Sequence, residues 1–462
     1  MAQPCAAIIL AAGESSRFRS GLPKVAHPLV GRPMLNYLTD TLRQLELARC
    51  LTVVGHGRET VTALLPPGYE AVVQTEQRGT GDAAATALRA LGDFAGDVLI
   101  LCGDVPLVSR ETLQRLLDVH RQEHNSGTVL TVRVEDPTGL GRIVRDLDGR
   151  VQRIVEEADA VPHERAIKEI NTGTYVFAAP ELTRLVGQLT CNNQQQEYYL
   201  TDIIEKLQCE GRAVGAVLAD DPLEVMGINH RVHLAQVEAV LRRRINEGLM
   251  RAGVTLIDPA ATYIEAGVQI GSDTVIWPQT VLTGATSIGP GCTICGPTRI
   301  HASVIGADCR IEASVLTGAQ VGDGTTIGPF AHLREGTVLA GQNRVGNFVE
   351  TKKLTAGAGT KMSHLSYLGD AQLGCKVNIG AGTITCNYDG FAKHPTVIGD
   401  RVFVGSDVQF VAPVTVGDDA VIAAGTTVTQ PVPAGALALT RPPQINREGY
   451  AARRRARKEH QP

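Results

Sequence analysis

The stretch QIGSDTVIWPQTVLTGATSIGPGCTICGPTRI, residues 269–300, decides the fold of the second half of this 462-residue chain. It places an aliphatic residue at every sixth position, at Ile270, Ile276, Leu282, Ile288, Ile294 and Ile300. A helix repeats its apolar face about every 3.6 residues and an ordinary strand at every second residue, so neither explains this period. Hexapeptide repeats stacked into a parallel β-helix do explain it, because each short strand turns one aliphatic side chain inward.

A second series with the same spacing follows near the C-terminus, at Ile398, Val404, Phe410, Val416, Ile422 and Val428. Shorter series lie between the two, at Ile305, Ile311, Ile327, Leu333, Leu339, Leu373 and Ile379. Glycine often follows the aliphatic residue, as at Gly271 and Gly289, and it permits the turn between faces of the prism. No such series precedes residue 260. The sequence therefore predicts two different domains.

The composition is that of a globular protein with more than one domain. Hydrophobic residues make up 43% and charged residues 20%, and 462 residues are too many for one core. The net charge of −4 gives no electrostatic basis for binding nucleic acid, and no apolar run predicts a membrane span. The 10 cysteines lack paired spacing, which favours a reducing cytoplasm. Cys292 and Cys295 form an isolated C-x-x-C, so we expect no zinc site there.

The first half has the pattern of an α/β domain. Apolar segments predict strands at 6–10, 51–54, 71–73 and 98–101, and helices at 33–45 and 81–91. Alternation of strands and helices implies a mostly parallel sheet, which binds ligands beyond the carboxyl ends of its strands. Apolar residues three to four apart over 231–250 predict one long helix. We therefore expect domains at residues 1–231 and 253–462, joined by a linker helix at 232–252.

The first predicted strand runs into LAAGESSRF, residues 10–18, and Pro23 and Lys24 follow. Small residues after a strand let backbone N–H groups approach phosphate oxygens closely. Arg17 and Lys24 supply cations that would neutralise a triphosphate and its departing pyrophosphate. The loop matches neither the Walker pattern nor G-x-G-x-x-G, so from these residues alone a structural role stays open.

Two further motifs follow predicted strands. QTEQRGTG, residues 74–81, opens a helix, and its amide and backbone donors suit recognition of a uracil edge. Cys102-Gly103-Asp104 ends an apolar strand and places a carboxylate at the edge of the sheet. Such an aspartate can cap a loop, but in a nucleotide site it is typical of a Mg²⁺ ligand.

Charged and polar residues interrupt the hexads inside the predicted β-helix. They include Arg334, Lys352, His364 and Tyr367, and the polar segment TCNYDG, residues 385–390. A prism filled with aliphatic side chains has no structural need for such a cluster. Histidine has an ordinary pKa of ~6.5 and serves as a general base near neutral pH. A lone histidine is more often packed or on the surface, but the neighbouring cations and tyrosine favour catalysis here.

The phosphate loop resembles the signature of nucleotidyltransferases that act on sugar 1-phosphates, LAAGxGTRM followed by LPK. Ser15, Ser16 and Phe18 depart from that signature, although Ser16 keeps a hydroxyl. From Leu10 to Arg441 the motifs together resemble the family of bifunctional uridylyltransferases and acetyltransferases that make UDP-N-acetylglucosamine. The resemblance implies a Rossmann-like α/β nucleotidyltransferase domain, a linker helix and a left-handed parallel β-helix that forms homotrimers, with acetyl-transfer sites between subunits.

For the first domain the resemblance implies uridylyl transfer from UTP to N-acetylglucosamine 1-phosphate, with release of pyrophosphate. Asp104 and Asn229 would hold Mg²⁺, which bridges phosphate oxygens. No covalent enzyme intermediate is needed, since alignment and charge neutralisation suffice. The implied substrate-binding residues are Leu10, Ala11, Ala12, Gly13, Arg17, Lys24, Gln74, Gly79, Thr80, Cys102, Gly103, Asp104, Gly141, Glu156, Asn171 and Asn229.

For the second domain the resemblance implies acetyl transfer from acetyl-CoA to glucosamine 1-phosphate, the preceding step. His364 would be the general base that removes a proton from the amine. The implied sugar phosphate residues are Arg334, Lys352, Tyr367 and Asn378, and the implied acetyl-CoA residues are Ala381, Asn387, Tyr388, Ser406, Ala424 and Arg441. The UDP-N-acetylglucosamine made by the two reactions would supply peptidoglycan and lipopolysaccharide precursors in the cytoplasm.

Two alternative functions stay open. In the first, the chain is a sugar 1-phosphate nucleotidyltransferase whose β-helix is not catalytic, and the set Arg334, Lys352 and His364 argues against this. In the second, it is a scaffold without activity, and Arg17 and the other residues of the phosphate site argue against that. We expect the basic run RRRARK, residues 453–458, to be a solvated terminal helix rather than a nucleic-acid site.

Overall fold

The computed structural model of the chain describes residues 3–14, 16–440 and 442–459. Ser15 and Arg441, both singled out above, lie outside the described residues, as does the side chain of Ser16. The chain divides into two compact units, Met1–Arg242 and Arg243–Pro462. In the part that the structure describes, no helix is long and apolar enough to cross a membrane.

The first unit contains the predicted strands and helices together with several that the sequence did not predict. Its strands are β1 Cys5–Ala11, β2 Pro28–Leu29, β3 Arg32–Pro33, β4 Arg49–Val54, β5 Tyr69–Val73, β6 Asp97–Cys102, β7 Gly127–Arg133, β8 Arg142–Arg145, β9 Val151–Val155, β10 Glu169–Ala178 and β11 Val214–Leu218. Its helices are α1 Met34–Leu42, α2 Arg58–Ala63, α3 Thr80–Leu91, α4 Arg110–Gln122, α5 Pro162–Arg165, α6 Ala179–Val186 and α7 Asp202–Cys209, with 3₁₀ helices at Ser16–Phe18 and Lys24–Ala26.

The main sheet of this unit has the order β11-β7-β10-β6-β1-β4-β5. Strands β6, β1, β4 and β5 are parallel neighbours, as are β11 and β7, which confirms the expected mostly parallel sheet. Strand β10 is the exception and runs antiparallel to both β6 and β7. The carboxyl ends of β1 and β6 consequently lie side by side at the edge where the predicted phosphate motifs begin.

Two hydrophobic cores cover the two faces of this sheet, because successive side chains of a strand point to opposite faces. Ala6 and Ile8 of β1 pack with residues of α3, α6 and α7. Ala7 and Ile9, also fully buried, pack with residues of α1 and α4 on the other face. The unit is therefore a three-layer α/β structure around a rigid sheet.

Helix α8, Arg231–Arg251, confirms the predicted long helix at 231–250. The division between the two compact units falls inside it, between Arg242 and Arg243. The expected domain boundaries at 231 and 253 stay a prediction.

The second unit consists of very short strands followed by one terminal helix. The strands are β12 Thr255–Leu256, β13 Tyr263–Ile264, β14 Gln269–Ile270, β15 Val275–Ile276, β16 Val281–Thr283, β17 Ser287–Ile288, β18 Thr293–Cys295, β19 Arg299–His301, β20 Val304–Ile305, β21 Arg310–Glu312, β22 Val315–Thr317, β23 Gln320–Val321, β24 Thr326–Ile327, β25 His332–Leu333, β26 Val338–Leu339, β27 Arg344–Asn347, β28 Glu350–Ala356, β29 Lys361–His364, β30 Tyr367–Leu373, β31 Asn378–Ile379, β32 Ile384–Cys386, β33 Thr396–Ile398, β34 Phe403–Val404, β35 Gln409–Val411, β36 Val414–Val416, β37 Val421–Ile422, β38 Thr427–Val428 and β39 Leu437–Ala438. The helix is α9, Tyr450–Glu459, whose described side chains are exposed.

These strands stack in parallel into a three-faced prism. Ile276 pairs with Ile294, three hexads further on, and Leu282 pairs with Ile300 in the same way. The aliphatic residues of both long series are buried in one continuous core, except Ile270, which is half-buried in the first coil. The period of six therefore predicts the inward-facing residues of the β-helix correctly.

The coils change where the hexads lapse. Strands β28 and β30 are longer than the others, and each runs around a corner of the prism. The two halves of each strand therefore pair with strands on two different faces. His364 ends β29 on one face, and Tyr367 begins β30 on the next. Arg334 and Lys352 lie at the corner that β28 turns, because they directly follow the register partners Leu333 and Thr351. His364 lies at the preceding corner, between β29 and β30.

Candidate active sites

Two of the predicted motifs of the first unit meet at the edge of the sheet. Leu10 of β1 and Cys102 of β6 are register partners, and the backbone N–H of Gly103 donates a 2.9 Å hydrogen bond to the carbonyl of Leu10. A Cβ atom at Gly103 would lie 3.1 Å from Cγ1 of Val25 and 3.2 Å from Cβ of Ala11. The close approach of the two strand ends thus favours glycine at this position.

Two adjoining cavities open at this edge and share Leu10, Arg17, Thr80, Cys102 and Asp104. The first, of about 500 Å³, is also lined by Ala11, Ala12, Gly13, Lys24, Gln74 and Gly79. The second, of about 450 Å³, is also lined by Gly141, Glu156, Asn171 and Asn229. Every residue predicted for the nucleotide-sugar site lines one of these cavities, except Gly103, which joins the two strand ends. The roles of the individual residues stay predictions.

The oxygen atoms predicted to bind Mg²⁺ face this region, and both are paired with cations. The ammonium of Lys24 forms an ion pair with Oδ2 of Asp104, and Nη2 of Arg17 donates a 3.0 Å hydrogen bond to Oδ1 of Asn229. The N–H of Ile228 donates to the carbonyl of Asp104 at 3.0 Å, which holds the segment of Asn229 beside it. The residues predicted to bind phosphate therefore contact the residues predicted to bind metal.

These residues fit Mg²⁺, which takes oxygen ligands and is bound in nucleotide sites by one or two protein groups plus substrate phosphates. Asp104 and Asn229 each supply a hard oxygen atom to the same cavity. Among the residues that the structure describes, no group of three or more His, Cys, Asp or Glu side chains forms a metal cage. A metal held here would consequently depend on the phosphates of the nucleotide.

The segment that begins α3 forms the other wall of the first cavity. Nε2 of Gln74, a buried side chain, donates to Oδ2 of Asp82 at 2.7 Å and to the carbonyl of Gly79 at 3.4 Å. With its donors engaged, the amide retains Oε1 as an acceptor. Gly79 has φ of 108°, and a Cβ there would lie 2.7 Å from the carbonyl of Tyr198, so only glycine fits.

The second cavity contains a carboxyl group with a perturbed pKa. Burial raises the pKa of Glu156, although a 3.3 Å hydrogen bond from the hydroxyl of Thr201 opposes the shift. A Cβ at Gly141 would lie 3.3 Å from Oε2 of Glu156. Beside it, Nδ2 of Asn171 donates to the hydroxyl of Tyr175 at 2.6 Å. This wall therefore carries several polar groups that hydrogen bonds hold in place.

In the second unit, His364 is exposed at the end of β29. Its Nδ1 atom lies 3.0 Å from Oδ1 of Asn347, its register partner on β27. Since the amide oxygen is an acceptor, Nδ1 carries the proton and Nε2 is the basic nitrogen. Asn347, which the sequence analysis did not name, therefore orients a candidate general base.

Cations gather on the adjacent face. Arg334 donates to Oε1 of Glu350 at 2.8 Å, and Arg334 and Lys352 line an open cavity of about 660 Å³. The side chain of Lys393, in hydrogen-bonding contact and of like charge, lowers the pKa of Lys352, and Arg334 adds to this effect. Lys393 is a further residue that the sequence analysis missed. Its position in the polar segment before Ile398 was the available signal.

Tyr367 and Asn387 come together over Gly369. A Cβ at Gly369 would lie 2.8 Å from Nδ2 of Asn387, and closer still to the hydroxyl of Tyr367. Asn387 is buried, and its Nδ2 donates to Oδ2 of Asp370 at 2.6 Å. The missing side chain of Gly369 thus makes room for two of the predicted site residues.

Three residues predicted for acetyl-CoA form a column along the corner that follows His364. The N–H of Gly382 donates to the carbonyl of Leu365, that of Asp407 to Ala381, and that of Gly425 to Ser406, at 3.1, 2.7 and 2.9 Å. Ala381, Ser406 and Ala424 consequently lie in successive coils, about 4.8 Å apart. The column starts one coil after His364 and continues along the prism.

Asn378 and Tyr388 are the remaining described residues of the prediction. Asn378 is the register partner of Lys361, three residues before His364 on β29, so about 10 Å of strand separates Asn378 from the histidine in one protomer. Tyr388 is exposed and donates to the carbonyl of Gly390 at 2.6 Å. The structure of a single chain does not bring Asn378 to the cluster.

Comparison with known proteins agrees with both halves of this description. A family model of the MobA-like NTP transferase domain matches residues 7–226. A model of the bacterial transferase hexapeptide (six repeats) matches residues 395–430. The fold is therefore a Rossmann-like nucleotidyltransferase unit followed by a left-handed parallel β-helix of hexapeptide repeats.

Curated relatives match along almost the entire chain. The chain is 52% identical to the bifunctional protein GlmU of Trichlorobacter lovleyi over 97% of its own length and 98% of the relative. It is 52% identical to the protein of the same name from Pelobacter propionicus, with the same coverage. It is 49% identical to that of an Exiguobacterium species, over 97% of the chain and 99% of the relative. The chain belongs to the family of bifunctional GlmU proteins.

Proposed function

We propose that the chain carries out two successive reactions of UDP-N-acetylglucosamine synthesis. The second unit transfers an acetyl group from acetyl-CoA to the amine of glucosamine 1-phosphate. The first unit then transfers uridylyl from UTP to N-acetylglucosamine 1-phosphate and releases pyrophosphate. One observation carries this proposal: the residues predicted for the nucleotide sugar line two adjoining cavities, and Asn347 orients His364 in the second unit, in a chain that matches bifunctional relatives over 97% of its length.

In uridylyl transfer, an oxygen of the sugar phosphate attacks the α-phosphorus of UTP, and the bond to the β-phosphate breaks. Arg17 and Lys24 neutralise the pyrophosphate that leaves, since both line the cavity. When Lys24 turns to the phosphates, it releases its ion pair with Asp104, and Asp104 and Asn229 are the residues that would hold Mg²⁺. The bound metal would supply charge neutralisation and alignment of the phosphate oxygens.

In acetyl transfer, Nε2 of His364 takes a proton from the sugar amine while the amine attacks the thioester carbonyl. The carbon–sulfur bond then breaks, and the coenzyme A thiolate leaves and accepts a proton. The hydrogen bond from Nδ1 to Asn347 stabilises the imidazolium that forms. Arg334, Lys352 and Lys393 place several positive charges where the sugar phosphate binds.

We propose further that the protein is a cytoplasmic homotrimer and that its domains are residues 1–231 and 253–462, with a linker helix at 232–252. The separation of Asn378 from His364 within one chain supports a site completed by a second copy. Exposed Phe330, Phe348 and Leu365, on the corner of His364, offer an apolar contact surface. Light scattering gives the mass in solution: three chains would support the proposal, and a monomer would contradict it.

Separate assays test the two half-reactions. Pyrophosphate release is measured with UTP, Mg²⁺ and N-acetylglucosamine 1-phosphate, and compared with ATP, GTP and glucose 1-phosphate as substitutes. Free thiol is measured with acetyl-CoA and glucosamine 1-phosphate. Pyrophosphate without thiol release would favour the alternative in which the β-helix is not catalytic.

A further inference from the structure

Two histidines form an unusual cap at the first turn of α8. The first N–H groups of a helix have no partner within the helix, and serine, threonine, aspartate or asparagine usually accepts from them. Here Nδ1 of His230 accepts a 3.3 Å hydrogen bond from the N–H of His233. The two imidazole rings lie 3.8 Å apart and are tilted by 39°.

The second bond of this cap holds Asn229. Nδ1 of His233 accepts a 3.4 Å hydrogen bond from the backbone N–H of Asn229. In an ordinary capping box the third helical residue bonds to the capping residue itself. Here it bonds one residue earlier, to the candidate metal ligand. The arrangement therefore fixes the backbone of Asn229 as well as the helix end.

The two-histidine cap lies next to the candidate metal site. His233 lines the same cavity as Asp104 and Asn229. The N–H of Ile228 donates to the carbonyl of Asp104, so the backbone N–H groups of Ile228 and Asn229 are both held by hydrogen bonds. Arg231, the first residue of α8, places its guanidinium 5.5 Å from the ring centre of Phe18, at the end of the phosphate loop. The helix start, the metal ligand and the phosphate loop thus form one connected structure.

We infer that His233 and His230 are positioning residues for uridylyl transfer, which hold the backbone of Asn229 so that its amide oxygen lies beside the carboxylate of Asp104. The inference rests on the proposed function of the first unit. It predicts that the histidines act on the metal-dependent part of UTP binding. Groups around metal ligands commonly change metal affinity or activity by about 10–100-fold when they are removed.

The test uses full-length variants that differ only in the acceptor at position 233. His233→Leu keeps much of the side-chain volume and removes the acceptor. His233→Asn places an amide oxygen near the position of Nδ1 and restores it. Val232→Ala changes an exposed neighbour in the same helical turn and serves as the control. UTP binding without Mg²⁺ by each variant reports that the first unit is folded.

Calorimetry measures UTP binding with and without Mg²⁺, in the absence of sugar phosphate so that no reaction occurs. Mg²⁺ should raise the UTP affinity of His233→Leu about tenfold less than it raises that of the wild type. The affinity for UTP without Mg²⁺ should be unchanged. His233→Asn should recover most of the gain, and Val232→Ala should match the wild type. The Mg²⁺ concentration for half-maximal uridylyl transfer should rise in the leucine variant alone.

The results separate this inference from the proposed function. If Mg²⁺ raises the UTP affinity of His233→Leu as much as that of the wild type, the positioning role is overturned and the proposed function is unaffected. Equal loss in the leucine and asparagine variants would overturn it too, because the acceptor would then be irrelevant. A wild-type protein whose UTP affinity does not respond to Mg²⁺ would contradict the proposed metal site and, with it, this inference.

Discussion

Nη2 of Arg17 donates a 3.0 Å hydrogen bond to Oδ1 of Asn229, across a sequence separation of 212 residues. Beside it, Lys24 pairs with Asp104. Both residues expected to bind phosphate are thus engaged by the residues expected to bind metal. If Arg17 and Lys24 turn to the phosphates of a nucleotide, they release the two side chains, Asn229 and Asp104, that would hold Mg²⁺.

Asp104→Ala should abolish Mg²⁺-dependent uridylyl transfer. The change removes a metal ligand and leaves the Lys24 ammonium without its partner. Acetyl transfer should stay near the wild-type rate, since its residues lie in the other unit. Both rates are measured on the same preparation, with the exposed Asp148→Ala as the control. Parallel loss of the two activities would indicate a structural role for Asp104.

His364→Ala should lower acetyl transfer by about 10²–10⁴-fold, the usual effect of losing a positioned general base. Residual activity should increase with pH, because more of the sugar amine is then already neutral. Uridylyl transfer should persist. His301→Ala is a matched control, because His301 is also exposed on the β-helix and bonds to Thr283. A variant at position 364 that keeps the wild-type rate would remove this histidine from the mechanism.

Gly369→Ala should disturb acetyl transfer without unfolding the β-helix. Its Cβ would displace the Tyr367 hydroxyl and the Asn387 amide. We expect a loss of about 10–100-fold in kcat/KM for glucosamine 1-phosphate, as misplaced substrate contacts commonly cause. Gly248→Ala in α8 is the control, because nothing lies within 4 Å of its Cβ position. Unchanged kinetics of the Gly369 variant would show that Tyr367 and Asn387 are not needed where the structure places them.

Asp202→Asn should stabilise the protein at alkaline pH. Burial, with the Glu205 carboxylate, raises the pKa of Asp202 to about 6 from 3.8. The contribution of this group to stability is therefore complete below about pH 4 and is lost as the pH rises through about 6. Urea denaturation should give equal midpoints for the variant and the wild type at pH 4, and a higher midpoint for the variant at pH 8. Equal midpoints at pH 8 would contradict the shift.

Two features could be predicted from the sequence: the repeated coils of the β-helix, and the site motifs that directly follow strands. Inward-facing aliphatic residues must recur once per face, so the period of six reveals the β-helix directly. Motifs after β1 and β6 predict a shared site, because parallel neighbours end at the same edge. These arguments need only local patterns.

Contacts that depend on register could not be predicted. Ile276 stacks on Ile294 after three full hexads, but Ile300 stacks on Leu316 after a shorter coil. Once coils differ in length, the sequence does not show that Asn347 faces His364 or that Lys393 reaches Lys352. The two-histidine cap was missed for a related reason, since imidazole is not among the usual capping groups. The antiparallel direction of β10 is set by tertiary packing rather than by any local pattern.

The central claim is that one chain performs both reactions in sequence, and an omission assay tests it most directly. The purified protein is incubated with glucosamine 1-phosphate, acetyl-CoA, UTP and Mg²⁺, and UDP-N-acetylglucosamine is measured by chromatography. The account predicts this product when all four components are present and no product when any one is left out. N-acetylglucosamine 1-phosphate should substitute for glucosamine 1-phosphate and acetyl-CoA together. Product from N-acetylglucosamine 1-phosphate but not from glucosamine 1-phosphate with acetyl-CoA would contradict the claim, because the β-helix would then have no catalytic part.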